Sequence, residues 1–134
     1  MARFIHDNSS RKASPFFAIN CPALTKEMAE AELFGHEPGA FTGAQGRKTG
    51  LLELAEEGTL LINEVGDLSK ANQAKLLTFL DTREFIRVGG QKKVKVNARL
   101  IAATNTDLKR AVSEGEFRED LFHRLNVFLL ESLL

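Results

Sequence analysis

The chain has 134 residues, with 18 Lys and Arg against 18 Asp and Glu, so its formal net charge is zero. Its 43% hydrophobic and 27% charged residues fit one soluble globular domain, and zero net charge removes any global electrostatic case for nucleic-acid binding. A single cysteine, Cys21, excludes an internal disulfide and fits a reducing, cytoplasmic compartment. The start lacks a signal-peptide core, and no apolar run approaches the roughly 20 residues of a membrane helix.

Ala2 to Asn8 can be a helix tail, and Ser9 to Ser14 reads as a loop. Phe16 to Asn20 is a short apolar run between turn signals, which predicts a buried strand. Thr25 to Leu33 predicts a helix ended by Gly35. Gly35 to Gly50 carries five glycines and a proline, a long loop or loosely wound hairpin of the kind that is functional or disordered. Leu51 to Glu56 can form a short helix. Leu60 to Val65 is an apolar run ending in polar residues, the pattern of a buried parallel strand whose carboxyl end carries chemistry. Asp67 or Ser69 can cap the next helix, in which Ala74, Leu76, Leu77 and Leu80 form an apolar stripe. Glu84 to Val96 alternates around Gly89-Gly90, which predicts a β-hairpin with a tight turn. Arg99 to Asn105 is another buried strand with a polar end. Asp107 can cap a helix over Leu108 to Ser113, and Glu116 to Leu125 is a last helical stretch before the ambiguous apolar tail Val127 to Leu134. Alternating strands and helices indicate an α/β fold with a parallel sheet.

Three places carry candidate chemistry. The strand Leu60 to Glu64 ends in a Walker B-like pair, in which the first residue of such a pair holds Mg²⁺ and the second polarises the attacking water. Here the first is Asn63, a neutral and poor Mg²⁺ ligand, and only Glu64 is charged. Taken alone, the same residues also read as a buried strand ending in a polar turn. Thr104 and Asn105, at the end of the next strand, suit sensing a γ-phosphate or orienting water, or simply a helix-entry turn. Arg118 and Arg124 lie on one predicted helix. They suit reaching a phosphoryl group in a neighbouring subunit, or a solvated face paired with Glu119 and Asp120.

The loop Gly39-Ala40-Phe41-Thr42-Gly43-Ala44 is the strongest signal. Small residues leave Phe41 at a tip with little of its own chain to cover it, which points to a protein contact. The basic cluster Lys92, Lys93 and Lys95 reads as a solvated edge that blunts strand pairing, with a phosphate or nucleic-acid contact as the lesser alternative. His6, His36 and His123 lack metal-ligand spacing, and Cys21 reads as a small buried residue after a strand.

Glu32-Leu33-Phe34-Gly35-His36-Glu37, running into the Gly39-to-Ala44 loop, resembles the hallmark of bacterial enhancer-binding proteins, sigma-54-dependent activators with an AAA+ ATPase domain. The likeness continues through Leu60 to Glu64, Arg87-Val88-Gly89-Gly90, Ala103-Thr104-Asn105, Phe117-Arg118-Glu119-Asp120-Leu121 and Arg124-Leu125-Asn126-Val127, in the family's order. It implies a partial AAA+ sheet, P-loop NTPase-like and flanked by helices, with a protruding Gly-rich loop and a hairpin insertion. It also implies ATP and Mg²⁺ as cofactors, and a homo-hexameric ring that hydrolyses ATP between subunits to remodel sigma-54 RNA polymerase holoenzyme.

On that resemblance Glu64 orients the water, Asn63 stands at the Walker B aspartate position, and Asn20 relays the state of Glu64. Thr104 and Asn105 match sensor I, and Arg118 and Arg124 match the trans-acting arginines. Phe41 and Thr42 make the sigma-54 contact within the Gly39, Ala40, Gly43 and Ala44 frame. The Glu84-to-Val96 hairpin is the second pore-facing loop. The opposite charges of Glu53 and Arg87 point to a pair that couples the two loops.

The sequence departs from that pattern. Gly-x-x-x-x-Gly-Lys-[Ser/Thr], whose amides and lysine cradle phosphates, does not occur. The resemblance places it just before a segment like Ala2 to His6, so residues 1–134 read as one incomplete AAA+ sigma-54-interaction domain that lacks this motif and the helical lid. The family's sheet order then leaves three contiguous strands. The expected function is the family's ATP-driven transcription activation, with this chain inactive alone. The alternative is a non-catalytic sigma-54-contacting module. DNA would be reached only through a domain outside these residues, and no membrane is involved. A self-sufficient nucleic-acid binder is disfavoured by the zero net charge and the lack of a recognition helix.

Overall fold

A computed structural model describes residues 14–40, 46–125 and, for the backbone alone, 127–129. The expected helix tail near the start, the loop residues Phe41, Thr42, Gly43 and Ala44, and the tail beyond Leu129 fall outside the described residues.

The strands β1 (Phe16–Asn20), β2 (Thr59–Asn63), β5 (Arg99–Thr104) and β6 (Val127–Leu129) form one sheet in the order β1-β2-β5-β6. Every pairing in it is parallel. The central strands are apolar on both faces, as a parallel sheet covered by helices requires. Leu60 and Ile62 of β2 and Ile101 and Ala102 of β5 are wholly buried. β1 is less buried than its apolar sequence predicts. It lies at the sheet edge, and only Ile19 within it is buried. The expected three-stranded sheet is corrected by β6. Its backbone pairs with Ala102 to Thr104 and satisfies polar groups along β5 that a three-stranded sheet would leave open.

Helix α1 (Lys26–Phe34) starts where Thr25 accepts a hydrogen bond from the Met28 amide, 3.2 Å, and stops at Gly35 with φ 76°. α2 (Leu51–Leu54) starts after Gly50. These two glycines let the chain on either side of the Gly-rich loop come together. A Cβ on Gly50 would run into the Gly35 backbone.

A 3₁₀ turn, Val65–Asp67, follows β2 and leads into α3 (Lys70–Thr82), which is capped by Ser69 rather than Asp67. The inward face of α3 is Asn72, Gln73, Leu76 and Phe79; of the expected stripe, Ala74, Leu77 and Leu80 are only half-buried. Counting apolar residues misplaces the stripe because two amides belong to the inward face. Asn72 Nδ2 donates to the Lys26 carbonyl at 3.1 Å, and Gln73 Nε2 donates to Leu68 and Glu116 carbonyls at 2.9 and 3.1 Å.

β3 (Glu84–Ile86) and β4 (Lys93–Lys95) form the expected antiparallel hairpin, with Phe85 opposite Val94. Its connection runs from residue 87 to 92, not through a two-residue turn. Arg87 and Val88 leave the ladder because the base of the Gly-rich loop takes their place as backbone partner. The Val88 amide donates to Gly35 and the Glu37 amide to Val88, both at 3.0 Å. Asp107 caps α4 (Leu108–Ser113), accepting from the Arg110 amide. α5 (Glu119–Arg124) is shorter than expected. Among the described residues no helix is long and apolar enough to cross a membrane.

Phenylalanine supplies the aromatic core. Phe85 lies between Phe34 and Phe79, with ring centroids 5.8 and 6.1 Å away. Phe79 is wholly buried and joins α3 to the hairpin. Phe79→Ala should therefore cost about 3–5 kcal/mol in urea unfolding, through lost apolar burial and an unfilled cavity.

Cys21 opens the 3₁₀ turn after β1 and is 4% exposed. Burial, with the negative charges of Asp67 and Glu64 adding to it, pushes its thiol from an ordinary value of 9.0 up to about 11. The folded state therefore favours the protonated thiol. That contribution to stability is complete below pH 9 and is lost as pH rises to about 11. Alkylation at pH 8 should be slow in the folded chain and fast in urea; equal rates would contradict the burial of this thiol.

Candidate functional site

The register of the parallel strands gathers the candidate residues. Asn20 lies opposite Asn63, and Asn63 opposite Ala103, so Asn20, Asn63, Glu64, Thr104 and Asn105 share the carboxyl end of three adjacent strands. In parallel α/β sheets this end is where ligands bind. Glu64 has left-handed backbone angles, φ 55° and ψ 56°, unusual for a residue with a Cβ and a frequent mark of functional positions.

The Glu64 carboxylate is held on both oxygens. The Asn105 amide donates to Oε1 at 2.9 Å and the Thr104 hydroxyl donates to Oε2 at 3.3 Å. Thr104 Oγ1 in turn accepts from the Thr106 amide at 3.0 Å, which fixes the direction of its own proton. Glu64 is thus turned toward the end of β5. Asn20 is exposed, and its side chain makes no hydrogen bond to Glu64 among the described residues. No group of three or more His, Cys, Asp or Glu suited to a metal forms among the described residues. Asn63 offers a neutral carbonyl oxygen beside Glu64, where a second carboxylate would be the stronger Mg²⁺ ligand.

The two arginines flank α5 rather than sharing one face of it. Arg118 is its N-cap residue, and its guanidinium meets Asp120 at 3.0 and 2.8 Å. Hydrogen bonding to Arg118 holds the Asp120 carboxyl below its ordinary value. Both side chains are largely exposed, so the pair is easily exchanged for another partner. Arg124 closes the helix and pairs with Asp81 of α3 at 2.6 Å. Sequence reasoning missed Gln73, whose buried carboxamide places the Arg118 segment. Its Oε1 accepts from the Arg118 amide at 2.8 Å while its nitrogen bonds Leu68 and Glu116. A glutamine inside an apolar stripe was the available signal.

The Gly-rich loop stands on a built stem. His36 and Lys48 exchange both backbone hydrogen bonds, at 3.0 and 2.9 Å, and His36 also bridges to Val88 of the hairpin. Lys48 pairs with Glu32 on α1. Arg87 ties stem and hairpin together. Its Nε and NH2 meet both oxygens of Glu53 at 2.8 and 2.9 Å, and its NH1 meets Glu37 at 3.1 Å. The Arg87 side chain is 10% exposed and Glu53 17%. The hydrogen bond to Glu53 raises the Arg87 pKa against the opposing effect of burial. Glu37 is the partner the sequence reading did not single out, although it is an acid directly before the loop. Ala40 packs on Gly89, φ 75°, where an added Cβ would lie 2.7 Å from the Ala40 Cβ. Glu53 and Arg87 are therefore brought together, while the loop tip that they support lies outside the described residues.

Residues 1–131 match the family described as the sigma-54 interaction domain. The Nif-specific regulatory protein of Herbaspirillum seropedicae is 57% identical over 127 residues, 95% of this chain and 23% of that protein. The regulatory protein AtoC of Escherichia coli K12 is 57% identical over 130 residues, 97% of this chain and 28% of that protein. The crystal structure of NtrX from Brucella abortus in complex with ATP superposes with a TM-score of 0.84 at 45% identity, covering 92% of this chain and 26% of that one. The chain thus spans about a quarter of each of these relatives. With the loop stem, the strand ends and this likeness along nearly its whole length, the chain belongs to the sigma-54 interaction domain family.

Proposed function

We propose that this chain is the sigma-54-contacting part of an ATP-driven transcription activator, and that it does not turn over ATP by itself. The observation that carries this reading is the stem of the Gly39-to-Ala44 loop, strapped to the hairpin by Arg87 through Glu53 and Glu37. A protein-contacting loop gains from such a base, because ordering it beforehand removes part of the entropic cost of binding. Phe41 and Thr42 would meet sigma-54, with Gly39, Ala40, Gly43 and Ala44 as the small-residue frame. The larger assembly would be a homo-hexameric ring acting on RNA polymerase holoenzyme.

ATP with Mg²⁺ would supply the phosphoryl group whose hydrolysis drives the movement. The strand ends fit the water-handling part of that site. Glu64 would accept a hydrogen bond from the attacking water, and Thr104 and Asn105 would hold the carboxylate in place until then. Asn20 lies within the same row of strand ends and would take over Glu64 as the relay. Arg118 and Arg124 would leave Asp120 and Asp81 to reach a neighbouring subunit's phosphates. No Gly-x-x-x-x-Gly-Lys-[Ser/Thr] cradle occurs in these 134 residues, and Asn63 weakens the Mg²⁺ position. Both features favour weak nucleotide binding by the chain alone.

Capture on immobilised sigma-54 tests the contact. Phe41→Ala should reduce binding at least tenfold, and equal binding by both forms would sink the loop's role. Arg87→Glu should weaken capture, and the exchange Glu53→Arg with Arg87→Glu should restore part of it; no recovery would count against the coupling. ATP turnover should be negligible for the chain and for Asn63→Asp. Robust hydrolysis that is abolished by Glu64→Ala would overturn the inactive reading.

A further inference from the structure

The zero net charge of the chain conceals a local imbalance. A cleft of about 730 Å³ runs between the loop stem and the hairpin. Arg47 lines it from the stem, and Lys92, Lys93 and Lys95 line it from the hairpin. The acid on its wall, Glu37, is already engaged by Arg87 at 3.1 Å and lies 3.9 Å from Arg47. Glu84 sits opposite Lys95 in the hairpin register and offsets part of that charge. Lys92, Lys93 and Lys95 are exposed and form no ion pair among the described residues.

We propose that this cleft binds the phosphate backbone of a nucleic acid without reading its sequence. Lys93 and Lys95 alternate along an extended strand on the face they share, about 7 Å apart, so each can meet a different phosphate of one strand. Lysine ammonium groups are point charges that suit phosphate contact but not the bidentate reading of a base. Among the described residues that line the cleft none is aromatic, so none of them offers a platform for stacking a base. An acidic peptide fits it less well. Peptide sites are anchored by buried apolar or aromatic pockets, and among the described residues Val94 is the sole large apolar side chain in this lining. The inference is independent of ATP chemistry and of the Phe41 contact.

Fluorescence anisotropy with labelled 20-mers of duplex DNA, single-stranded DNA and RNA tests it across a salt series. A dissociation constant of about 10⁻⁴–10⁻⁶ M is expected, with log K falling against log salt at a slope of about −3 for the duplex. The triple variant Lys92→Ala, Lys93→Ala, Lys95→Ala should weaken binding at least tenfold at low salt and remove most of that slope, about 0.9 for each lysine. The control triple Lys26→Ala, Lys70→Ala, Lys109→Ala removes equal charge elsewhere and should leave both unchanged; circular dichroism confirms that both variants fold. The tightest of the three probes identifies the nucleic acid concerned. Equal weakening by the two triples would mean diffuse attraction and overturn the site. Polyglutamate competing as well as duplex DNA would overturn the phosphate assignment. No anisotropy change at 50 mM salt, or self-association of the cleft triple with unchanged DNA binding, would overturn the proposal and leave the lysines as edge protection.

Discussion

The pairing of β2 with β5 is the constraint on which the candidate site depends. Asn63 lies opposite Ala103, so the next residue on each strand, Glu64 and Thr104, emerge side by side. Two hydrogen bonds from the β5 end then hold the Glu64 carboxylate. A slip of one residue would exchange the two faces of β2, driving Leu61 inward in place of Leu60 and Ile62. It would also move Glu64 away from Thr104. The apolar burial that fixes the register is therefore also what fixes the polar geometry at the strand ends. Side-chain packing in the sheet and chemistry at its edge are one constraint seen at two points.

The loop stem relies on a different kind of force. Backbone bridges among His36, Lys48 and Val88 position it, and Arg87 saturates its guanidinium on Glu53 and Glu37. A nearly buried ion pair of this sort adds little net stability, because desolvating both charges offsets most of their attraction. What it contributes is geometry. Leaving either charge without its partner is costly, so the hairpin and the two sides of the loop cannot separate without a replacement for Arg87. The stem thereby fixes the hairpin against both ends of the loop.

Much of this was legible in the sequence. Apolar runs located the strands Phe16 to Asn20, Thr59 to Asn63 and Arg99 to Thr104; in the two central strands burial on both faces leaves an unbroken apolar signature, whereas β1 carries it at the sheet edge. Thr25 and Asp107 declared their helices, and the opposite charges of Glu53 and Arg87 pointed to a pair before any geometry was known. The features that were not legible share a cause: each depends on partners distant in sequence. Asn72 and Gln73 face inward only because carbonyls at Lys26, Leu68 and Glu116 wait for them. The hairpin connection is long because Gly35 and Glu37 capture Val88. Helix α3 ends at Arg83 in a left-handed conformation, φ 61°, that sequence rules reserve for glycine. Its guanidinium bonds the Ala98 carbonyl at 2.8 Å, a tertiary contact that offsets the local cost.

The two centres, strand ends and loop stem, are linked by α1. Its N-terminal side follows the Cys21–Ala23 turn, which lies against the turn after Glu64, and its C-terminal side is Phe34 and Gly35, where the loop stem begins. A nine-residue helix spans about 13 Å at 1.5 Å per residue. It is pinned along that length, since Asn72 bonds the Lys26 carbonyl and Lys75 pairs with Glu30 while its ammonium sits 4.4 Å from the Phe34 ring centre. A helix held this way transmits displacement better than it absorbs it, because a packed core has discrete arrangements rather than continuous ones. The charge of Glu64 already reaches the Cys21 turn, where, after burial and Asp67, it adds to the rise in the thiol pKa. The coupling that the proposed activity needs therefore has a path through α1 as well as through the Gly-rich loop. One route from the carboxylate's surroundings to the base of the loop is the helix between Thr25 and Gly35, held by the contacts that α3 makes on its flank.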